Sequence, residues 1–88
     1  METYIENCKQ AILATFGGMD GCQKDVFLKL LQLVWFCKSL GNHKALFMSL
    51  SSQYKNRYWE VTYNGSKREY YVDEYQKVSN KVIAVRED

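Results

Sequence analysis

Histidine is nearly missing from this 88-residue chain, and Cys-His or Ser-His nucleophilic catalysis would have to use the single imidazole of His43. Neither a Gly-x-Ser-x-Gly elbow nor a cysteine-bearing catalytic signature accompanies it, so His43 reads as an ordinary polar surface residue. Cysteine is scarce as well. Cys8, Cys22 and Cys37 cannot all pair, and their spacing matches neither a structural zinc site nor a Cys-x-x-Cys redox motif. They read as reduced, mostly buried thiols of a cytoplasmic protein. Long apolar runs are absent: Val26 to Cys37 is broken by Lys29 and Gln32 and falls well short of the roughly 20 residues of a bilayer span. The opening residues Met1 to Glu6 are acidic where a secretory signal would be basic, and no apolar segment follows them. Asn64-Gly65-Ser66 formally fits a glycosylation acceptor, but without a secretory route it reads as a turn.

Phosphate and metal chemistry lack their usual residues. Gly17 to Lys24 is glycine-rich and precedes a helix, yet it has no Walker spacing and Asp20 would repel a phosphate. It reads as a helix stop and connector. Asp20, Asp25, Glu60, Glu69, Asp73 and Glu74 make no ligand pattern. A metal-free ribonuclease built on Arg57, Lys67, Arg68 and tyrosines is the one enzyme class left, and its constellation is compositional rather than spaced. No enzyme, cofactor or metal is expected.

Apolar residues make up 47% and charged residues 25%, which places the chain among globular proteins. At 10.4 kDa it is expected to form one domain over residues 1–88 that buries only about 60% of its unfolded surface. Thr3 and Glu6 have capping-box spacing, and Ile5, Cys8, Ile12 and Phe16 share a helical face, predicting a helix over about 4–16 that stops at Gly17-Gly18. Asp20 and Gln23 predict a second cap, followed by a helix apolar nearly all round from Val26 to Cys37. Phe36 continues its polar stripe of Asp25, Lys29 and Gln32 and is expected to be exposed, where it could serve a homodimer. Gly41 then ends that helix and Asn42 caps a third one, with Leu46, Phe47, Leu50 and Tyr54 on one face.

From Arg57 the period changes to two, and Asn64-Gly65 between aromatic runs predicts a hairpin. A four-residue loop, Asn64 to Lys67, pairs Val61 with Tyr70 and Trp59 with Val72, setting Trp59, Val61, Tyr70 and Val72 inward. Asp73 could cap a short helix carrying Tyr75 and Val78, and Val82 to Val85 could add a third strand. The expected fold is therefore α+β, with three N-terminal helices packed on a hairpin and a short C-terminal helix.

Net charge is only +2, but residues 24–68 hold eight basic side chains against Asp25 and Glu60. Six tyrosines and Trp59 fall between residues 54 and 75, too many for one small core. Tyrosine favours interface hot spots, and aromatics beside Lys and Arg also suit base stacking. The expected function is a small non-enzymatic protein-binding module, an inhibitor or adaptor. It would block a larger nucleic-acid-handling protein or nucleoprotein through Lys55, Arg57, Tyr58, Tyr63, Lys67, Arg68 and Tyr71. Small phage anti-defence proteins, anti-CRISPR inhibitors among them, share this general character, which is an analogy of class. The alternative is a winged-helix DNA or RNA binder, with helix three in the groove and Lys67 and Arg68 of the wing on phosphate. No membrane partner is expected.

Overall fold

The computed structural model describes residues 2–86. Two helices, α1 (Glu2–Ala14) and α2 (Gly21–Leu30), precede four strands, β1 (Leu31–Ser39), β2 (Asn42–Ser49), β3 (Arg57–Asn64) and β4 (Glu69–Gln76). A single 3-10 turn, Ser52–Tyr54, lies between β2 and β3, and the strands form an antiparallel meander in the order β1-β2-β3-β4. The class is α+β, but the expected three helices, hairpin and C-terminal helix are replaced by two helices and a four-stranded sheet.

The helical patterning of the first thirty residues is largely realised. Cys8 and Ile12 are fully buried, with Ile5 and Phe16 packed against them, as a stripe at helical spacing requires. Thr3 lies inside α1 rather than capping it. The last turn tightens, with the Thr15 amide and hydroxyl both donating to the Ile12 carbonyl at 3.0 and 2.7 Å. Asp20 caps α2 through a reciprocal pair: its carboxylate accepts from the Gln23 amide at 2.8 Å, and the Gln23 side chain accepts from the Asp20 amide at 3.0 Å.

The departure begins at Leu31. An apolar run that is hydrophobic all round carries no period to separate helix from strand, and here the chain turns into β1. Only Phe27 of α2 is buried, so this helix gives the core a single side chain. Leu40 and Gly41 both take positive φ, 49° and 82°, the geometry of a two-residue hairpin turn whose twist matches the strands it joins. Thus the glycine and asparagine that resemble a helix stop and cap instead turn β1 into β2. On β2 the buried residues are His43, Ala45, Phe47 and Ser49, a strict alternation that leaves Leu46 and Met48 on the other face. The expected third helix, and with it the recognition helix of the winged-helix reading, is this strand.

In the β3–β4 hairpin the inward face is as expected, with Trp59 and Val61 buried and Tyr70 and Val72 packed beside them. The register is shifted: Val61 pairs with Val72, Trp59 with Glu74 and Asn64 with Glu69, so the loop is Gly65 to Arg68. A displacement of two residues keeps every side chain on its face, whereas one residue would invert them. Asn64 closes this loop by accepting from the Ser66 and Lys67 amides at 3.0 and 3.3 Å. β4 runs unbroken through Gln76, so Asp73 caps no helix, and residues 77–86 form neither the expected helix nor the expected strand.

Eight apolar side chains form the buried core: Leu31, Ala45, Phe47, Trp59 and Val61 from the sheet, and Cys8, Ile12 and Phe27 from the helices. Both helices cover the same sheet face. At one end the two hairpin turns touch, where the Gly65 amide donates to the Asn42 side chain at 2.9 Å and a Cβ on Gly65 would sit 2.5 Å from the Gly41 carbonyl oxygen. The obstructing atom is backbone and cannot swing aside. Gly65→Ala is therefore expected to destabilise the fold by about 1–3 kcal/mol through overpacking, read as a lower urea midpoint. An unchanged midpoint would show that the turns do not meet in solution.

Candidate functional site

With both helices on one side, the opposite sheet face is uncovered by any described residue. Cross-strand pairing sets its composition in rows: Gln32, Met48, Tyr58 and Tyr75, then Trp35, Leu46, Glu60 and Asp73, then Cys37, Lys44, Thr62 and Tyr71. Trp35 is 40% exposed, Tyr71 42% and Tyr75 50%, while Leu46, Met48 and Tyr58 are half-buried among them. The bulge between Leu33 and Trp35 creates this arrangement, because the extra residue places the Trp35 indole beside Leu46 and returns Phe36 to the core face opposite Ala45. Phe36 is accordingly half-buried, not the exposed aromatic expected.

The electrostatics of this face are not basic. Among the described residues Glu60, Glu69 and Asp73 face outward against one cation of the strands, Lys44, whose Nζ already pairs with Glu60 at 3.4 Å. The Tyr71 hydroxyl donates to Glu69 at 2.5 Å; that bond, ahead of desolvation and the carboxylate charge, raises its pKa.

Among the residues singled out from sequence, Tyr58 and Tyr71 share the outer face, separated by one row. Lys67 and Arg68 are exposed in the β3–β4 loop, whereas Lys55 and Arg57 lie at the far end of β3, about 23 Å away along a seven-residue rise. The Arg57 guanidinium lies over the Tyr54 ring, 5.8 Å from its centroid. The four cations therefore form two separate ends and no single patch. Tyr63 points the other way, into the core face, where it stacks on His43 at 4.8 Å. Sequence reasoning missed Trp35, Leu46, Met48 and Tyr75. The signal that could have found two of them is the period of two from His43 to Ser49, which buries His43, Ala45, Phe47 and Ser49 and turns Leu46 and Met48 to the other face.

His43 is also misplaced by sequence reasoning: it is buried, 3% exposed, and held in an aromatic cage. Tyr4 of α1 lies 4.7 Å away between ring centroids, Phe36 of β1 5.6 Å, Tyr63 of β3 4.8 Å and Tyr70 of β4 6.1 Å. Neither ring nitrogen has a hydrogen-bond partner among the described residues. Lys38 reaches over the same cage, donating to the Tyr4 hydroxyl at 3.4 Å. Desolvation first, and the Lys38 charge second, hold the His43 pKa below its ordinary value. Burial likewise pushes the Cys8 thiol up to about 11. Only Cys8 of the three cysteines is buried; Cys22 and Cys37 are exposed, against the expectation of mostly buried thiols.

A concavity of about 480 Å³ opens between the α1–α2 connection, α2 and the 3-10 turn, lined by Phe16, Met19, Cys22, Val26, Leu30 and Tyr54 among others. Its lining carries no charged side chain. Among the described residues no group of three His, Cys, Asp or Glu side chains converges where a metal ion could be held. No helix among the described residues is long and apolar enough to cross a membrane.

The chain belongs to a family of unknown function, DUF6275, which matches residues 5–85 and so takes in all four strands, α2 and nearly all of α1. No curated protein and no solved structure matches it.

The His43 cage has a measurable consequence. Unfolded, the imidazole takes a proton near pH 6.5; folded, it resists protonation, so its contribution to stability is full above that pH and is lost as pH falls below it. The urea midpoint is expected to drop between about pH 7 and pH 5, and His43→Phe, which fills the cage without a titrating group, is expected to flatten that slope. An equal slope in a folded His43→Phe protein would assign the pH dependence elsewhere.

Proposed function

We propose that this chain is a small non-enzymatic binding module that docks a larger protein on the outer face of its sheet and acts by occupancy, as an inhibitor or adaptor. The observation that carries this reading is the uncovered face itself, where Trp35, Tyr58, Tyr71 and Tyr75 surround Leu46 and Met48 on a rigid four-stranded scaffold. Tyrosine and tryptophan supply large contact area with little rotamer entropy to lose, which is why they dominate interface hot spots. The partner's complementary surface is an apolar ridge flanked by basic groups, to meet Glu60, Glu69 and Asp73. Those carboxylates disfavour a phosphate backbone on this face. Lys67 and Arg68 lie at the rim, where charge governs association rate more than affinity.

The test is capture from a nuclease-treated lysate at low and at high salt, with the natural chain and with a Tyr58→Ala, Tyr75→Ala double variant of unchanged circular dichroism. The natural chain is expected to retain a defined protein at high salt. The double variant is expected to bind it at least about thirtyfold more weakly, corresponding to about 2 kcal/mol of hot-spot energy. Equal binding by the folded double variant overturns the outer-face reading. Recovery of nucleic acid alone, lost at high salt, overturns the protein-partner reading.

A further inference from the structure

Beyond β4 the chain leaves the sheet. The Lys77 amide still donates to the Asn56 carbonyl at 2.7 Å, but Val78, Val82, Ile83 and Val85 are then 98%, 89%, 85% and 86% exposed. β-Branched residues at this density favour a strand, and a run of them left in water is unusual for a folded chain. The radius of gyration, 15.4 Å against about 12 Å for a compact chain of this length, records the same extension. The segment is part of the family unit, since the family match continues to residue 85.

The sheet has two open edges, and they differ. β4 carries Glu69, Asp73 and Glu74, charges of the kind that protect an edge from pairing. β1 has no charged residue from Leu31 to Cys37, and Leu33, Val34 and Trp35 are exposed along it. After its bulge, the stretch Trp35–Ser39 pairs regularly with β2 and leaves an unpaired row of backbone groups on its outer side. This edge lacks a strand, and the C-terminal segment has a strand's composition but pairs with nothing among the described residues.

One chain cannot satisfy itself this way. Its Val82 would have to lie beyond β1, four interstrand spacings or about 19 Å from β4, while the five steps from Lys77 extend about 18 Å at most and would also have to pass around the sheet. A second copy has no such restriction. We propose that Val82–Val85 of one chain adds as a fifth strand to the β1 edge of a second copy, reciprocally, in a two-fold strand-exchanged dimer. Each exchange pairs the free backbone groups of the β1 edge and partly shields the Val82–Val85 run, whose side chains alternate between the two faces, and Lys81 and Arg86 bracket the inserted run as charges that stop further pairing. The dimer leaves the outer-face residues Tyr58 and Tyr75 of β3 and β4 free, so the two readings are separable by variants although both use the β1 strand that carries Trp35.

Sedimentation equilibrium over a concentration series tests it. The natural chain is expected at twice 10.4 kDa, and Ile83→Lys, a change at an exposed position, is expected at 10.4 kDa with unchanged circular dichroism. The Tyr58→Ala, Tyr75→Ala variant is expected to remain dimeric. Exposed Cys37 locates the strand. In a Cys22→Ser background, Ala84→Cys or Val85→Cys, which present opposite strand faces, is expected to give under air oxidation a disulfide to Cys37 of the other copy. A natural chain that stays monomeric, a dimer indifferent to Ile83→Lys, or a Cys37 disulfide formed within one chain overturns the proposal.

Discussion

The aromatic cluster around Trp59 holds the two layers of this molecule together. Phe16 of the α1–α2 connection, Phe27 of α2 and Tyr54 of the 3-10 turn lie 6.1, 5.9 and 6.0 Å from the Trp59 ring, all at steep angles. The three also meet one another at 5.0 to 5.6 Å. Edge-to-face packing of this kind adds to the burial of large rings, and it converges here from three separate chain segments. The indole N–H, which would otherwise be stranded, donates to Glu74 across the hairpin at 2.9 Å. Glu74 thereby fixes the β4 register opposite Trp59 while remaining in contact with water.

Because that cluster anchors both helices to one side, the opposite side is left to strand residues alone. A chain of this length has two helices to spend, and two helices cover one face of four strands. Everything of functional interest follows from that asymmetry: the buried face holds His43 in its cage, and the open face collects Trp35, Tyr58, Tyr71 and Tyr75. The same economy leaves both sheet edges bare, one protected by carboxylates and one uncharged.

The local chemistry of turns and caps was legible in particular residues. Asp20 and Gln23 form the cap their spacing implies, and Asn64-Gly65 sits at a hairpin. Gly41-Asn42 was ambiguous, because glycine with positive φ beside asparagine serves a helix end and a two-residue hairpin turn equally well. Leu31 to Cys37 was ambiguous for a different reason: apolar residues at nearly every position satisfy both periods. The inward set Trp59, Val61, Tyr70 and Val72 leaves Tyr58 and Tyr71 outward by alternation, whereas Tyr63, one of the same run, was assigned to the surface although its parity puts it with Trp59 and Val61.

By itself the sequence determined α1, the Asp20 cap, the inward face of the final hairpin, and the absence of any long apolar span, since each depends on interactions within a few residues of chain. Tertiary structure decided what lies between. Whether Leu31–Ser49 is helix or hairpin depends on the presence of β3 as a neighbour, because a strand pair gains its stability from the next strand and from the face it buries. Burial of His43, exposure of Trp35 and the separation of the basic residues into two ends all follow from that one choice, which contacts distant in sequence make and local propensity does not.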